Sequence, residues 1–212
     1  ALESVGNWGE WCICEDSELG LRLYRAGYDS VYVKDSFGRG VTPDTLSGYM
    51  TQRHRWVYGA MQILKRHWQA LLLGNKSELT SAQRYYFVAG WLPWFSDALA
   101  LLFTFASLFL TLQLAINPIH SELPINAFIL PTIGIFAFKV LRTLWLYHAR
   151  VKCSFWQTLG ATIAGLALTH TVAKAVWQGL FTSGRPFLRT PKFEKQRPFL
   201  AGLITIRDEI CL

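Results

Sequence analysis

Residues Asp97–Ile116 read DALALLFTFASLFLTLQLAI. Past the first residue this run carries no charge, and its 20 residues would make a helix of about 30 Å, the thickness of a bilayer's hydrocarbon core. A second apolar run, Ile125–Tyr147, follows a short link that contains Glu122 and no Lys or Arg. Lys139 and Arg142 lie inside this second run, Arg142 close enough to its end to snorkel. The whole composition agrees. Of 212 residues 51% are hydrophobic and 17% charged, and the mean hydropathy is +0.22, too apolar for an ordinary soluble domain. The nine Trp suit a chain with bilayer interfaces, where Trp and Tyr collect.

Upstream of the first span, the segment 85–95 (YYFVAGWLPWF) is aromatic and contains Pro93. It is expected as a short interfacial helix broken at the proline. Downstream, 155–181 is apolar but flanked on both sides by basic residues. Arg150 and Lys152 precede it; Arg185, Arg189, Lys192, Lys195 and Arg197 follow. A single crossing would put one basic flank outside, against the positive-inside tendency. An interfacial or re-entrant helix is therefore expected, with a plain third span as the alternative. His170 and Lys174, four apart, would share one of its faces.

Residues 1–84 are polar enough to be soluble. In EDSELGLRLYRAGYDSVYV, Glu15, Asp16 and Glu18 mark the first turn of a helix, Leu19, Leu23 and Ala26 repeat at helical spacing, and Gly27 is a natural stop. Tyr28 to Val33 is rich in β-formers and reads as a strand. FGRGVTPD is a turn-rich loop, and from Thr45 to about Leu73 the pattern is helical again, with Asp44 or Thr45 as N-cap. The expected fold class is α/β plus membrane helices. Residues 1–84 would be a cytoplasmic part, 85–148 an interfacial segment with two transmembrane helices, and 149–212 an interfacial helix, a cytoplasmic loop and the start of a further segment.

The net charge of +7 fits a side facing anionic lipid. No nucleic-acid motif accompanies it, so no nucleic-acid partner is expected. Cys12, Cys14, Cys153 and Cys211 lack metal-ligand spacing and read as free thiols. The chain begins at Ala1 with no signal-peptide pattern and is expected to be an internal piece of something longer.

Two motifs can carry chemistry. In CED, Cys14–Asp16, a carboxylate at a helix start among tryptophans can serve as a general base, although acidic residues are also commonplace there as capping groups. In QRHRW, Gln52–Trp56, helical spacing places Gln52, Arg55 and Trp56 on one face. Arg53 and Arg55 offer forked donors suited to phosphate oxygens, and Trp56 a flat apolar platform for a sugar or base. A basic membrane-surface helix anchored by Trp56 is the competing reading. A third stretch, GRPFLRTPKF (Gly184–Phe193), is a cationic loop.

The order CED, QRHRW, membrane helices, PFLRTPK resembles the membrane-bound family 2 glycosyltransferases typified by cellulose synthase, over about Gly9 to Lys192. The resemblance implies the C-terminal part of a GT-A-type catalytic domain. It implies that Asp16, beside Glu15, deprotonates the acceptor hydroxyl. It assigns Gln52, Arg53 and Arg55 to the nucleotide diphosphate and Trp56 to the acceptor sugar. Phe187, Thr190 and Lys192 fit the spacing of the family's F-x-V-T-x-K gating loop, with Thr190 and Lys192 at the diphosphate; Arg189 stands where that pattern has Val. The family's D-x-D motif does not occur here, so the ligands of the implied Mg²⁺ or Mn²⁺ would lie upstream, no metal site is expected in this chain, and the chain is expected to be inactive alone. The implied partners are a nucleotide sugar (a UDP-sugar), a glycan acceptor and a lipid membrane, the implied location a bacterial inner membrane with the catalytic side cytoplasmic. A lipid-linked or single-sugar transferase of the same family remains open at this point, as does a non-catalytic transport or anchoring subunit in which Lys139, His170 and Lys174 are the functional residues.

Overall fold

The computed structural model describes residues 1–33, 35, 37–38, 40, 43, 45–74, 79–116, 125–151 and 153–184, with side chains over all of these except 125–128. Six α-helices are described: α1 Glu15–Arg25, α2 Leu46–Trp68, α3 Ser81–Ile116, α4 Ile125–Leu146, α5 Phe155–Leu166 and α6 Thr169–Phe181. They belong to two compact units, whose described residues are 1–92 with 174–184, and 93–173.

In the first unit, α1 starts at the acidic residues Glu15 and Asp16 and ends ahead of Gly27, which takes φ +84°. That left-handed conformation is cheap only for glycine and stops the helix where expected. Thr45 caps α2, its Oγ1 accepting from the Gly48 N–H at 3.1 Å. The helix kinks at His67 and passes into a π-helical turn, Gln69–Leu73, closed by Gly74 at φ +66°.

The core of this unit is the buried face of α2, where Val57, Tyr58, Met61 and Ile63 have no solvent exposure. The C-terminal half of α6 lies along it. Gly179 makes the approach possible, since a Cβ there would sit 2.5 Å from Met61 Cβ and 3.0 Å from the Tyr58 carbonyl oxygen. Polar ties run beside the apolar seam. His54 Nε2 donates to Gln178 Oε1 at 2.9 Å, and Lys65 Nζ donates to the carbonyl of Thr182 at 2.8 Å and of Leu180 at 3.3 Å. The lysine meets the carbonyls left over at a helix C-terminus, where a cation is favoured.

Residues 28–33, expected as a strand, form none, and there is no strand among the described residues. A strand needs a neighbour to take its backbone hydrogen bonds, and no described segment supplies one. Val31 and Tyr32 are each 87% exposed. The described part of the chain is thus helical, and the α/β architecture is not seen in it.

In the second unit, Pro93 does not break the chain as expected: α3 runs unbroken through it for 36 residues. Proline costs one intrahelical bond, which apolar helices with satisfied neighbouring turns tolerate. Ser96 Oγ donates to the Pro93 carbonyl at 2.6 Å. The segment expected as one helix over 155–181 is two. Ser154 and Gln157 form a capping box at the start of α5, and α5 and α6 meet at a bend of 43°. Two helices, Ser81–Ile116 and Ile129–Val151, are long and apolar enough to cross a membrane, or three segments if the bent pair is one span. The protein is accordingly a membrane protein.

Lys139 is held inside this unit. Its Nζ donates to Asp97 Oδ1 at 2.6 Å and also to Thr169 Oγ1, tying α3, α4 and the start of α6 at one point. Burial leaves the Lys139 and Asp97 side chains 19% and 9% exposed.

Candidate active site

The loop ahead of α1 is seated directly on α2. Cys12 Sγ donates to the Gly59 carbonyl at 3.8 Å, and Cys14 Sγ lies 3.7 Å from the carbonyl oxygens of Arg55 and Trp56. The Ile13 N–H donates to Gln62 Oε1 at 3.3 Å. Gly59 is required for this contact. A Cβ on it would fall 2.5 Å from Cys14 Sγ and 3.0 Å from the Cys14 backbone nitrogen. The CED and QRHRW motifs, some forty residues apart in sequence, therefore meet.

Burial pushes the Cys12 thiol up to about 11 and the Cys14 thiol up to about 12, the neighbouring acidic groups acting in the same direction. Both stay protonated at neutral pH and act as small packing groups and weak donors, not as thiolates. Cys12, Cys14 and Cys153 are free.

Asp16 is exposed in the first turn of α1, its Oδ1 accepting from the Ser17 N–H at 2.7 Å. Glu15 beside it is half-buried. On α2, Gln52, Arg53 and Arg55 are half-buried and Trp56 is exposed at 39%. The Arg53 guanidinium lies over two rings, 5.0 Å from the Tyr49 centroid and 4.8 Å from that of Trp56, the cation–π arrangement. Its Nε is buried without a hydrogen-bond partner, so the aromatic rings, rather than hydrogen bonds to that nitrogen, hold it. One face of Trp56 is consequently covered by a cation. Phe187, Thr190 and Lys192 lie outside the described residues, as does Cys211.

A second cluster supports α1 from behind. Glu18, taken from the sequence as a first-turn carboxylate, is buried at 1% exposure. Arg22 Nε donates to its Oε2 at 2.8 Å, and His67 Nε2 donates to its Oε1 at 3.2 Å. Arg22 also donates to the carbonyls of Val5 and Asn7. Arg25 lies 2.9 Å from the other ring nitrogen, Nδ1. Arginine only donates, so Nδ1 must accept and the imidazole is the neutral Nε2–H tautomer. Burial, with the Arg25 and Arg66 charges, lowers the His67 pKa below its usual 6.5, outweighing the pull of Glu18 in the other direction. A polar cavity of about 700 Å³ opens beside these groups. Spacing alone offered no signal for this cluster, because Glu18 and His67 are far apart in sequence.

Among the described residues no group of three His, Cys, Asp or Glu side chains could hold a metal ion.

Residues 1–168 match the family described as glycosyl transferase family group 2. Among curated proteins, a cellulose synthase catalytic subunit (UDP-forming) of Xanthomonas axonopodis pv. citri is 37% identical over 31% of this chain and 9% of its own length. A putative cellulose synthase 2 of Komagataeibacter xylinus is 25% identical over 80% of this chain and 11% of its own length. A probable glucomannan 4-beta-mannosyltransferase 6 of rice, Oryza sativa subsp. japonica, is 31% identical over 35% of this chain and 13% of its own length. The chain thus spans about a tenth of the length of the curated relatives it matches. No solved structure matches it significantly. On the family match over most of its length, this chain belongs to glycosyl transferase family group 2 and is cellulose synthase-like.

Proposed function

We propose that the protein of which this chain is part is an inverting glycosyltransferase that moves a sugar from a UDP-sugar to the end of a membrane-exported β-glycan. The observation that supports the reading is the seating of the Cys12–Cys14 loop on the backbone of α2 at Arg55, Trp56 and Gly59, through which the CED motif meets the cationic, aromatic turn of α2. In this reading the acceptor hydroxyl oxygen attacks the anomeric carbon, Asp16 takes its proton with Glu15 alongside, and the bond from that carbon to the diphosphate oxygen breaks with its electrons on the departing nucleotide. Arg53 and Arg55 offset the charge that develops there, assisted by Gln52 and by Thr190 and Lys192 of the Phe187–Lys192 gating loop. The uncovered remainder of Trp56 receives the acceptor sugar. Mg²⁺ or Mn²⁺ would be held by residues upstream of this chain and would supply further positive charge to the departing diphosphate.

UDP as leaving group is supported by the likeness to the UDP-forming cellulose synthase subunit of Xanthomonas. Polymer export is supported by the helices long enough to span a membrane, and the basic flanks of 155–181 favour a cytoplasmic catalytic side, in a bacterial inner membrane. The exposed segment 28–33 suits an edge of the GT-A-type sheet expected for the family.

The test is Asp16→Asn in the full-length enzyme. Transfer is abolished while UDP-sugar binding, measured by calorimetry, is retained. Normal turnover by this variant overturns the assignment.

A further inference from the structure

Where α3 begins, a groove of about 310 Å³ runs between α3 and the end of the α2 region. One wall is a single face of α3, Arg84, Tyr85, Val88, Ala89 and Leu92; the other is Leu71 and Leu72. We propose that this groove is a specific binding site for one glycerophospholipid, its phosphate at Arg84 and an acyl chain along Val88, Ala89 and Leu92.

Three observations support this occupant. The groove is polarised: its one cation stands at the end away from the membrane span, and Leu92, eight residues and about 12 Å further along the helix, leads toward it. A phospholipid has the same polarity along the same direction. Secondly, Arg84 is pinned and incompletely satisfied. Its guanidinium packs on Gly74, whose added Cβ would collide with it, and one terminal nitrogen donates to Ser81 Oγ at 3.2 Å. Its Nε is buried without a hydrogen-bond partner, a costly state that an acceptor oxygen of a phosphodiester would relieve after a small rotation of the guanidinium. Thirdly, the rim is apolar and exposed where water would be expected beside a soluble helix: Leu72 is 56%, Tyr85 66% and Leu92 56% exposed. Exposed aromatic and aliphatic side chains around one half-buried cation suit an interface between headgroups and hydrocarbon. The site is separate from the residues assigned to sugar transfer and does not depend on that reading.

The test is native mass spectrometry of the full-length protein released from detergent, titrated with phosphatidylglycerol. The wild type is expected to keep one lipid through delipidation. Arg84→Gln should weaken its retention about tenfold, by loss of a charge-assisted contact. Ala89→Trp, which fills the groove and leaves the cation in place, should remove it. Should Arg84→Gln prove unfolded by its melting temperature in the same detergent, the Ala89→Trp result decides alone. Equal retention by the wild type and Ala89→Trp overturns the proposal. So does displacement of the lipid by millimolar inorganic phosphate, which would mark a site for a free anion instead.

Discussion

Lys139 Nζ stands 2.6 Å from Asp97 Oδ1 between two helices that are otherwise almost wholly apolar. A charge in such surroundings is tolerated when it is paired and hydrogen-bonded, and Thr169 supplies the extra bond. Residues 97, 139 and 169 thereby hold three helices in one register.

Breaking one side of this pair strands the other charge. Asp97→Asn or Lys139→Met should each cost about 3–5 kcal/mol, read as a fall in melting temperature of the protein in nanodiscs. The double variant Asp97→Leu/Lys139→Met should recover much of the loss, because no unpaired charge remains. Additive losses in the double-mutant cycle would show that the two residues do not act together.

Trp56 has one face under the Arg53 guanidinium, so under the proposed function a sugar would meet only what remains exposed. Trp56→Ala should raise the acceptor KM about tenfold, an interaction of about 1.5 kcal/mol, with a smaller change in the KM for the nucleotide sugar. A change confined to the nucleotide sugar would remove the stacking role.

His67 is neutral in the folded protein, and its pKa is lowered from 6.5 chiefly by burial. Between the folded value and 6.5 the unfolded chain binds more protons, so stability should rise with pH up to about 6.5 and be lost as pH falls below it. His67→Gln should flatten that acid limb in chemical denaturation. An unchanged limb would mean that His67 charges equally well in the folded state.

Local signals were legible in the sequence and non-local ones were not. Glu15, Asp16 and Gly27 bound α1 as read, and Thr45 caps α2, because caps and glycine stops act within a few residues. The likeness of CED and QRHRW to family motifs was legible too, but not the contact between them, which depends on Gly59 being bare beside Cys14. Residues 28–33 carry strand composition without forming a strand, since pairing depends on a partner segment. Pro93 was misread because its cost is set by the whole helix around it. His54, the one residue of QRHRW to which the resemblance assigns no role, is hydrogen-bonded to Gln178 across 124 residues of chain, a pairing that no periodicity announces.

The missing side chain at Gly59 has a mechanical consequence. With Cys14 pressed onto the α2 backbone and the Ile13 N–H bonded to Gln62, the carboxylate turn and the arginine–tryptophan turn form one stiff bracket. If a growing polymer advances by a sugar unit between additions, that bracket must move as a whole or stay still while the polymer slides. Under the proposed function, the separation of Asp16 from Trp56 would then be a fixed gauge for how far each new chain end travels between additions.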